Sequence, residues 1–116
     1  KLAFAVEQLK LGDGLEEGVQ QGPLINEKAA VNVEQMVKSS VVDGAKLILG
    51  GERSDSGPCF FQPTILTEVA PNMTVFRNEI FGPVAPITRF SSEEECIKLA
   101  NDTEFGLASY LYTRDI

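Results

Sequence analysis

Residues 26–51 read NEKAAVNVEQMVKSSVVDGAKLILGG, a helical pattern followed after a single glycine by a short apolar run. Asn26 is a residue type that caps helices, and the apolar residues after it are spaced for one face of a helix that ends at Gly44. These apolar residues are Ala29, Val33, Met36, Val37 and Val41. The run at 47–49 predicts a short strand buried in a covered sheet. This succession of helix and strand indicates the α/β class.

Two further helices are predicted on either side of this stretch. Residues 1–12 place apolar side chains on one helical face and end at a glycine, which predicts a short amphipathic helix. Ser92 and Glu95 have the spacing of a capping box and predict a second helix directly after Ser92.

Three more segments favour strands, because they are rich in apolar, aromatic and β-branched residues. They are residues 60–69, 84–90 and 107–115. Pro63 cannot donate to a strand ladder, which predicts an edge position or a bulge at that point. The alternation of helices and strands predicts an α/β sheet with helices covering its faces.

The composition argues against several classes of protein. The chain has 116 residues, 43% of them hydrophobic, which suits one compact domain. Ten basic and 17 acidic residues give a formal charge of -7, and no basic cluster is present, which argues against nucleic acid and anionic membranes as partners. No apolar run has the length of a membrane span, so a cytoplasmic location is predicted. The helical pattern at its very start and the strand-like run at its end predict a piece of a longer protein.

The side chains available for chemistry are limited, because the chain has no histidine and only two cysteines. Cys59 and Cys96 are too far apart in sequence for a disulfide framework or a zinc spacing, and no metal site is predicted. Cys59 has no histidine or basic residue beside it in sequence, and Cys96 lies among the apolar positions of a predicted helix, so both are interpreted as small hydrophobic residues. Catalysis would have to use carboxylates, lysines or thiols.

Residues 11–18, LGDGLEEG, contain three glycines but do not match a dinucleotide-binding loop. The spacing of Gly12, Gly14 and Gly18 is one residue too wide for G-x-G-x-x-G, and the segment follows a helix instead of a strand. A surface loop is the better interpretation.

Residues 79–84, EIFGPV, combine an acid, an aromatic ring and a Gly-Pro step. The two carboxylate oxygens of Glu79 match the vicinal hydroxyls of a ribose. In extended chain the ring of Phe81 would point to the same side and flank a flat ligand, and Gly82 would let the backbone approach closely. An acid and a ring that only pack the loop onto the sheet are the alternative, and the residues alone leave both open.

The same stretch resembles the E-x-F-G-P motif of the aldehyde dehydrogenase superfamily. Three further stretches match that family in order and spacing, so that nearly the whole chain is covered. They are GPLIN at 22–26, FFQPTIL at 60–66 and ANDTEFGLASYLYTRD at 100–115. Within the superfamily the chain most resembles the succinate-semialdehyde dehydrogenases, on QQGPLINEKA at 20–29 and ANDTEFGLA at 100–108.

The resemblance implies that residues 1–116 are a single segment of the family's catalytic domain, downstream of the nucleophilic cysteine. In the family this cysteine forms a thiohemiacetal with the aldehyde, hydride passes to NAD or NADP, and a glutamate assists hydrolysis of the thioester. The residue matching Glu79 binds the nicotinamide ribose, and the one matching Phe81 lies at the nicotinamide. No catalytic residue is assigned, since the nucleophile and the base lie outside this chain.

The resemblance also implies partners and leaves alternatives. It implies a small aldehyde substrate, a cofactor-binding domain in the same full-length chain, and a homo-oligomer when full length. The segment alone would be inactive. The substrate that the resemblance implies is succinate semialdehyde, with another semialdehyde or an aliphatic aldehyde as the alternative. A non-catalytic acidic α/β assembly module is the other alternative. Asn78 departs from the two acids that many members carry, and it is expected to hydrogen-bond the loop.

Overall fold

The computed structural model describes residues 1–115, which contain short helices and one small sheet. The helices are α1 (Leu2–Glu7), α2 (Glu27–Val42), α3 (Thr74–Arg77) and α4 (Glu93–Asn101). The strands are β1 (Lys46–Leu49), β2 (Thr64–Thr67) and β3 (Val84–Pro86). The α/β class is therefore confirmed. None of the helices within 1–115 combines the length and the apolar character that crossing a membrane requires.

Helix α2 begins as its sequence predicts. The side-chain oxygen of Asn26 accepts a hydrogen bond from the amide of Ala29 at 2.8 Å, which satisfies a donor at the helix start. The buried residues of the helix are Ala30, Val33, Val37 and Ser40. Val41, predicted in this stripe, is instead 39% exposed. Ser40 is buried in the stripe because its hydroxyl accepts a hydrogen bond from the amide of Val75 at 3.3 Å.

The sheet has three strands in the order β1-β2-β3, with β1 antiparallel and β3 parallel to the central β2. Pro63 lies directly before this central strand, so an edge position is wrong. A proline at the entry to a strand leaves the ladder donors of the strand intact. The register shift of the sheet lies in β1, between Leu47 and Leu49, and not at Pro63.

Two predictions about strands are wrong in the described chain. The side chains of Leu47 and Ile48 are 44% and 50% exposed, because β1 forms the border of the sheet and is not covered as a central strand would be. Residues 107–115 adopt no regular secondary structure, although their composition favours a strand. A strand needs a partner for its backbone donors and acceptors, and none of the strands in 1–115 pairs with this segment.

One hydrophobic core connects α2, the central strand and the α3 region. Its buried members are Val33, Val37, Ala45, Phe61, Leu66, Val69, Met73 and Val75. Ile80 and Val84 are partly buried and pack against this cluster. The core therefore anchors the chain before the EIFGPV stretch, at α3, and within the stretch itself, at Ile80 and Val84.

Candidate functional site

The segment 78–83 connects α3 to β3 and presents its side chains in two directions. Ile80 is partly buried and packs against the core, whereas Glu79 and Phe81 on either side of it are exposed. We name residues 79–82 the EIFG segment. The core contact of Ile80 fixes the backbone from which the two exposed side chains project.

The carboxylate of Glu79 is exposed and available. No hydrogen bond or ion pair within residues 1–115 engages it, while other acids in the same region, such as Asp102, are paired. An ionised carboxylate is acceptor-only, with two oxygens that can each accept hydrogen bonds. The arrangement can therefore bind a ligand that offers two adjacent donors.

Phe81 has an unusual backbone conformation and an exposed ring. Its φ is +46°, in the left-handed region that side chains other than glycine seldom adopt, and its side chain is 82% exposed. The prediction that Glu79 and Phe81 point to the same side assumed an extended chain. The structure shows that the chain is not extended at Phe81. Glu79 and Phe81 are nevertheless both exposed on either side of the inward Ile80, and their shared side stays a prediction.

Gly82 lies against helix α2. A Cβ built on Gly82 would lie 2.7 Å from Cγ2 and 3.2 Å from Cγ1 of Val33, which is buried on α2. The close approach that Gly82 permits in this structure is to α2 of the same chain, and a close approach to a ligand stays a prediction. The absence of a side chain lets the EIFG segment rest directly on the helix.

Arg77 and Asn78 fix the start of the segment. The side-chain amide of Asn78 donates to the carbonyl of Thr74 at 3.1 Å. Thr74 is the first residue of α3, so Asn78 bonds the helix, whereas a bond to the loop had been expected. Nη2 of Arg77 lies 2.8 Å from Oδ2 of Asp102, the residue after α4. This hydrogen bond raises the pKa of Arg77 and lowers that of Asp102 from their ordinary values.

The sequence shows what group of proteins carries this site. The sequence model of the aldehyde dehydrogenase family matches residues 1–116. The chain belongs to the aldehyde dehydrogenase family. The match extends over the whole chain, including the EIFG segment.

Known aldehyde dehydrogenases agree with this chain in sequence and fold. The 3-sulfolactaldehyde dehydrogenase of Pseudomonas putida is 55% identical over 116 residues, covering 100% of this chain and 24% of that protein. The NADP(+) succinate-semialdehyde dehydrogenase of Escherichia coli is 50% identical over 116 residues, with the same coverage of both. The crystal structure of succinate-semialdehyde dehydrogenase from Burkholderia pseudomallei superimposes with a TM-score of 0.95 at 56% identity, over 99% of this chain and 24% of that one. This chain spans about a quarter of the length of these relatives.

The cysteines of this aldehyde dehydrogenase chain are outside the EIFG segment. Cys59 and Cys96 are free thiols, each partly buried. Cys59 precedes β2 and Cys96 lies within α4. Neither belongs to a group of metal-ligating side chains in the part of the chain that the structure describes.

Sequence reasoning missed the contacts that position the EIFG segment. The pair of Arg77 and Asp102 joins residues 25 positions apart, and the contact of Val33 with Gly82 joins a helix to a distant loop. No local spacing predicts either contact. The only available signals were an arginine two residues before Glu79 and a glycine inside the motif.

Proposed function

We propose that this chain is a segment of the catalytic domain of an NAD(P)-dependent aldehyde dehydrogenase, in which Glu79 and Phe81 bind the nicotinamide half of the cofactor. The observation that carries this proposal is the exposed carboxylate of Glu79, which has no partner within 1–115 and lies two positions before the exposed ring of Phe81. These side chains fit a ribose diol and a flat apolar surface. The half of the cofactor involved is common to NAD and NADP, so these residues do not choose between them.

The residues of this chain would contribute binding and orientation. The oxygens of Glu79 accept hydrogen bonds from the ribose hydroxyls, and the ring of Phe81 offers apolar surface beside the nicotinamide. The bound cofactor supplies the acceptor for the hydride of the substrate. Because a displacement of about 1 Å can reduce a rate about 100-fold, the contacts that fix Glu79 matter for the reaction. We place the nucleophilic cysteine and the base on segments outside this chain, which alone is expected to be inactive.

The proposed substrate is succinate semialdehyde, on the similarity to succinate-semialdehyde dehydrogenases of known structure and sequence. A second candidate, 3-sulfolactaldehyde, is favoured by the 55% identity to the Pseudomonas putida enzyme. Both substrates carry an anionic group in addition to the aldehyde. The residues that recognise this group would lie elsewhere in the full-length enzyme, which we expect to be a homo-oligomer.

Replacement of Glu79 by Gln in the full-length enzyme tests the cofactor role. Gln keeps the size of the side chain but loses the charge and one acceptor oxygen, and we expect the Kd for NAD(P)+ to rise about 10- to 100-fold, as for a lost hydrogen bond to a charged group. Glu52→Gln is the matched control, because Glu52 is also exposed and lies outside the EIFG segment. If Glu79→Gln left both the Kd and the hydride-transfer rate unchanged, the non-catalytic assembly module would be favoured.

The substrate proposal is tested by comparing kcat/KM for succinate semialdehyde, 3-sulfolactaldehyde and acetaldehyde in the same full-length enzyme. We expect the highest value for succinate semialdehyde. A higher value for 3-sulfolactaldehyde would select the second candidate. A strong preference for acetaldehyde would contradict both.

A further inference from the structure

The side chain of Arg77 connects the end of α3 to the end of α4. Its Nη2 lies 2.8 Å from Oδ2 of Asp102, and its Nη1 donates to the carbonyl oxygen of the same residue at 3.4 Å. Asp102 follows the last residue of α4 directly. One guanidinium thus contacts both the side chain and the backbone of Asp102, and these contacts restrict its orientation more than a single contact would.

This connection is made where the chain leaves α3 for the EIFG segment. Arg77 is the last residue of α3, Asn78 has extended φ and ψ of −116° and 151°, and Glu79 follows. The side-chain amide of Asn78 donates a hydrogen bond to the carbonyl of Thr74, the first residue of α3. The direction in which Glu79 projects therefore also depends on how α3 is held, in addition to the core contact of Ile80.

The small contribution of the pair to stability also indicates its role. The side chains of Arg77 and Asp102 are 45% and 47% exposed, and an ion pair this exposed contributes little to global stability. What the pair can do is restrict two surface segments relative to each other. A polar cavity of about 410 Å³ lies between these segments, lined by residues of both, including Asn78 and Phe105.

We propose that Arg77 is a positioning residue for Glu79, and that its pair with Asp102 holds the EIFG segment in the geometry that receives the nicotinamide ribose. This inference rests on the proposed cofactor role of Glu79. It assigns to residue 102, in the ANDTEFG stretch, an indirect role in cofactor binding. Neither Arg77 nor Asp102 is proposed to touch the cofactor.

The test uses Arg77→Met, Asp102→Asn and the charge-reversed double variant R77D/D102R in the full-length enzyme. We expect each single variant to raise the Kd for NAD(P)+, measured by calorimetry, about three- to tenfold, and the double variant to recover part of this loss. Without cofactor, amide hydrogen exchange at residues 78–81 should accelerate in the single variants. The Tm should change by no more than about 2 °C, as for an exposed pair.

Arg89→Ala is the matched control. Arg89 is 83% exposed and its Nε lies 4.0 Å from Glu68. The variant therefore removes an arginine from a surface ion pair that includes no residue of the EIFG segment. It should leave the Kd and the exchange at 78–81 unchanged.

The outcomes separate this inference from the proposed function. If Glu79→Gln weakens cofactor binding while Arg77→Met and Asp102→Asn change neither the Kd nor the exchange, the positioning role is wrong and the cofactor role stands. If Glu79→Gln has no effect either, the proposed function fails. Asp102→Asn keeps the size of the side chain, so the test does not depend on the folding of Arg77→Met alone.

Discussion

The backbone at Phe81 has a φ of +46° although its ring is 82% exposed. A residue other than glycine in a sparsely populated region costs about 1–3 kcal/mol, and an exposed ring regains little of that by packing. Glu68, with a φ of 56°, is the other such residue within 1–115. Strain of this kind concentrates at functional sites, which supports a ligand contact for Phe81.

Replacement of Phe81 by Gly separates stability from cofactor binding. Gly relieves the left-handed strain but gains freedom in the unfolded chain, so we expect the free energy of unfolding to change by less than about 1 kcal/mol. The Kd for NAD(P)+ should rise about three- to tenfold, because the aromatic surface is lost. Denaturant unfolding and calorimetry on the full-length enzyme measure the two quantities.

Glu68→Gly provides the control for this prediction, since it removes a side chain from a similar backbone conformation. It should affect stability as Phe81→Gly does and leave cofactor binding unchanged. Wild-type cofactor affinity in Phe81→Gly would show that the ring has no ligand role.

At the residue scale the sequence predicted chemistry better than conformation. The acceptor capacity of Glu79 and the aromatic surface of Phe81 are properties of the side chains themselves, and both residues are exposed in the structure. The left-handed φ at Phe81 was not predictable, because phenylalanine carries no preference for it. The roles of the two residues remain a proposal.

At the scale of elements, α2 supports the EIFG segment from two points. The hydroxyl of Ser40 accepts a hydrogen bond from Val75 in α3, and Val33 contacts Gly82 directly. One helix therefore fixes the chain before and after Glu79. Helix α2 was predicted from its cap and its periodicity, which are local, whereas its contacts with α3 and Gly82 are long-range.

Replacement of Gly82 by Ala tests the support from α2. The new Cβ would lie 2.7 Å from a methyl group of Val33, a stiff and buried side chain, and we expect the free energy of unfolding to fall by about 1–3 kcal/mol. Gly22→Ala is the control, because a Cβ there meets nothing within 4 Å and should change stability by less than about 0.5 kcal/mol. Equal stability of the two variants in denaturant unfolding would show that the contact with Val33 is not a constraint.

The helix caps show how far local prediction extends. The hydroxyl of Ser92 accepts from the amide of Glu95 at 3.2 Å, as the capping box requires. The carboxylate of Glu95 accepts from the amide of Ser91 at 2.7 Å, one residue earlier than the motif predicts. The predicted start of α4 was thus correct. The donor to the carboxylate of Glu95 is Ser91 and not Ser92, because this partner depends on the path of the chain before the helix.

At the scale of the molecule, the described chain exposes much apolar surface. Four exposed apolar side chains are concentrated near its end, where a strand was predicted and none forms. They are Leu107, Tyr110, Leu111 and Tyr112. Composition predicted an apolar, strand-favouring segment, but the partner of a strand is a property of the whole sheet. An apolar patch of this kind marks an interaction site or an aggregation hazard.

The chain of residues 1–116 studied alone should therefore self-associate through this segment. Its charge of -7 opposes association by repulsion, and added salt screens that repulsion, so the apparent mass in light scattering should increase with protein concentration and more steeply at high salt. The double variant L111S/Y112S should reduce the association. Leu15→Ser is the control, because Leu15 is 96% exposed in the loop at 11–18, far in sequence from the segment, and isolated apolar residues are normal on surfaces. If Leu15→Ser reduced the association as much as the double variant, association would not depend on the apolar segment at 107–112. If salt had no effect, charge repulsion would not be what opposes the association.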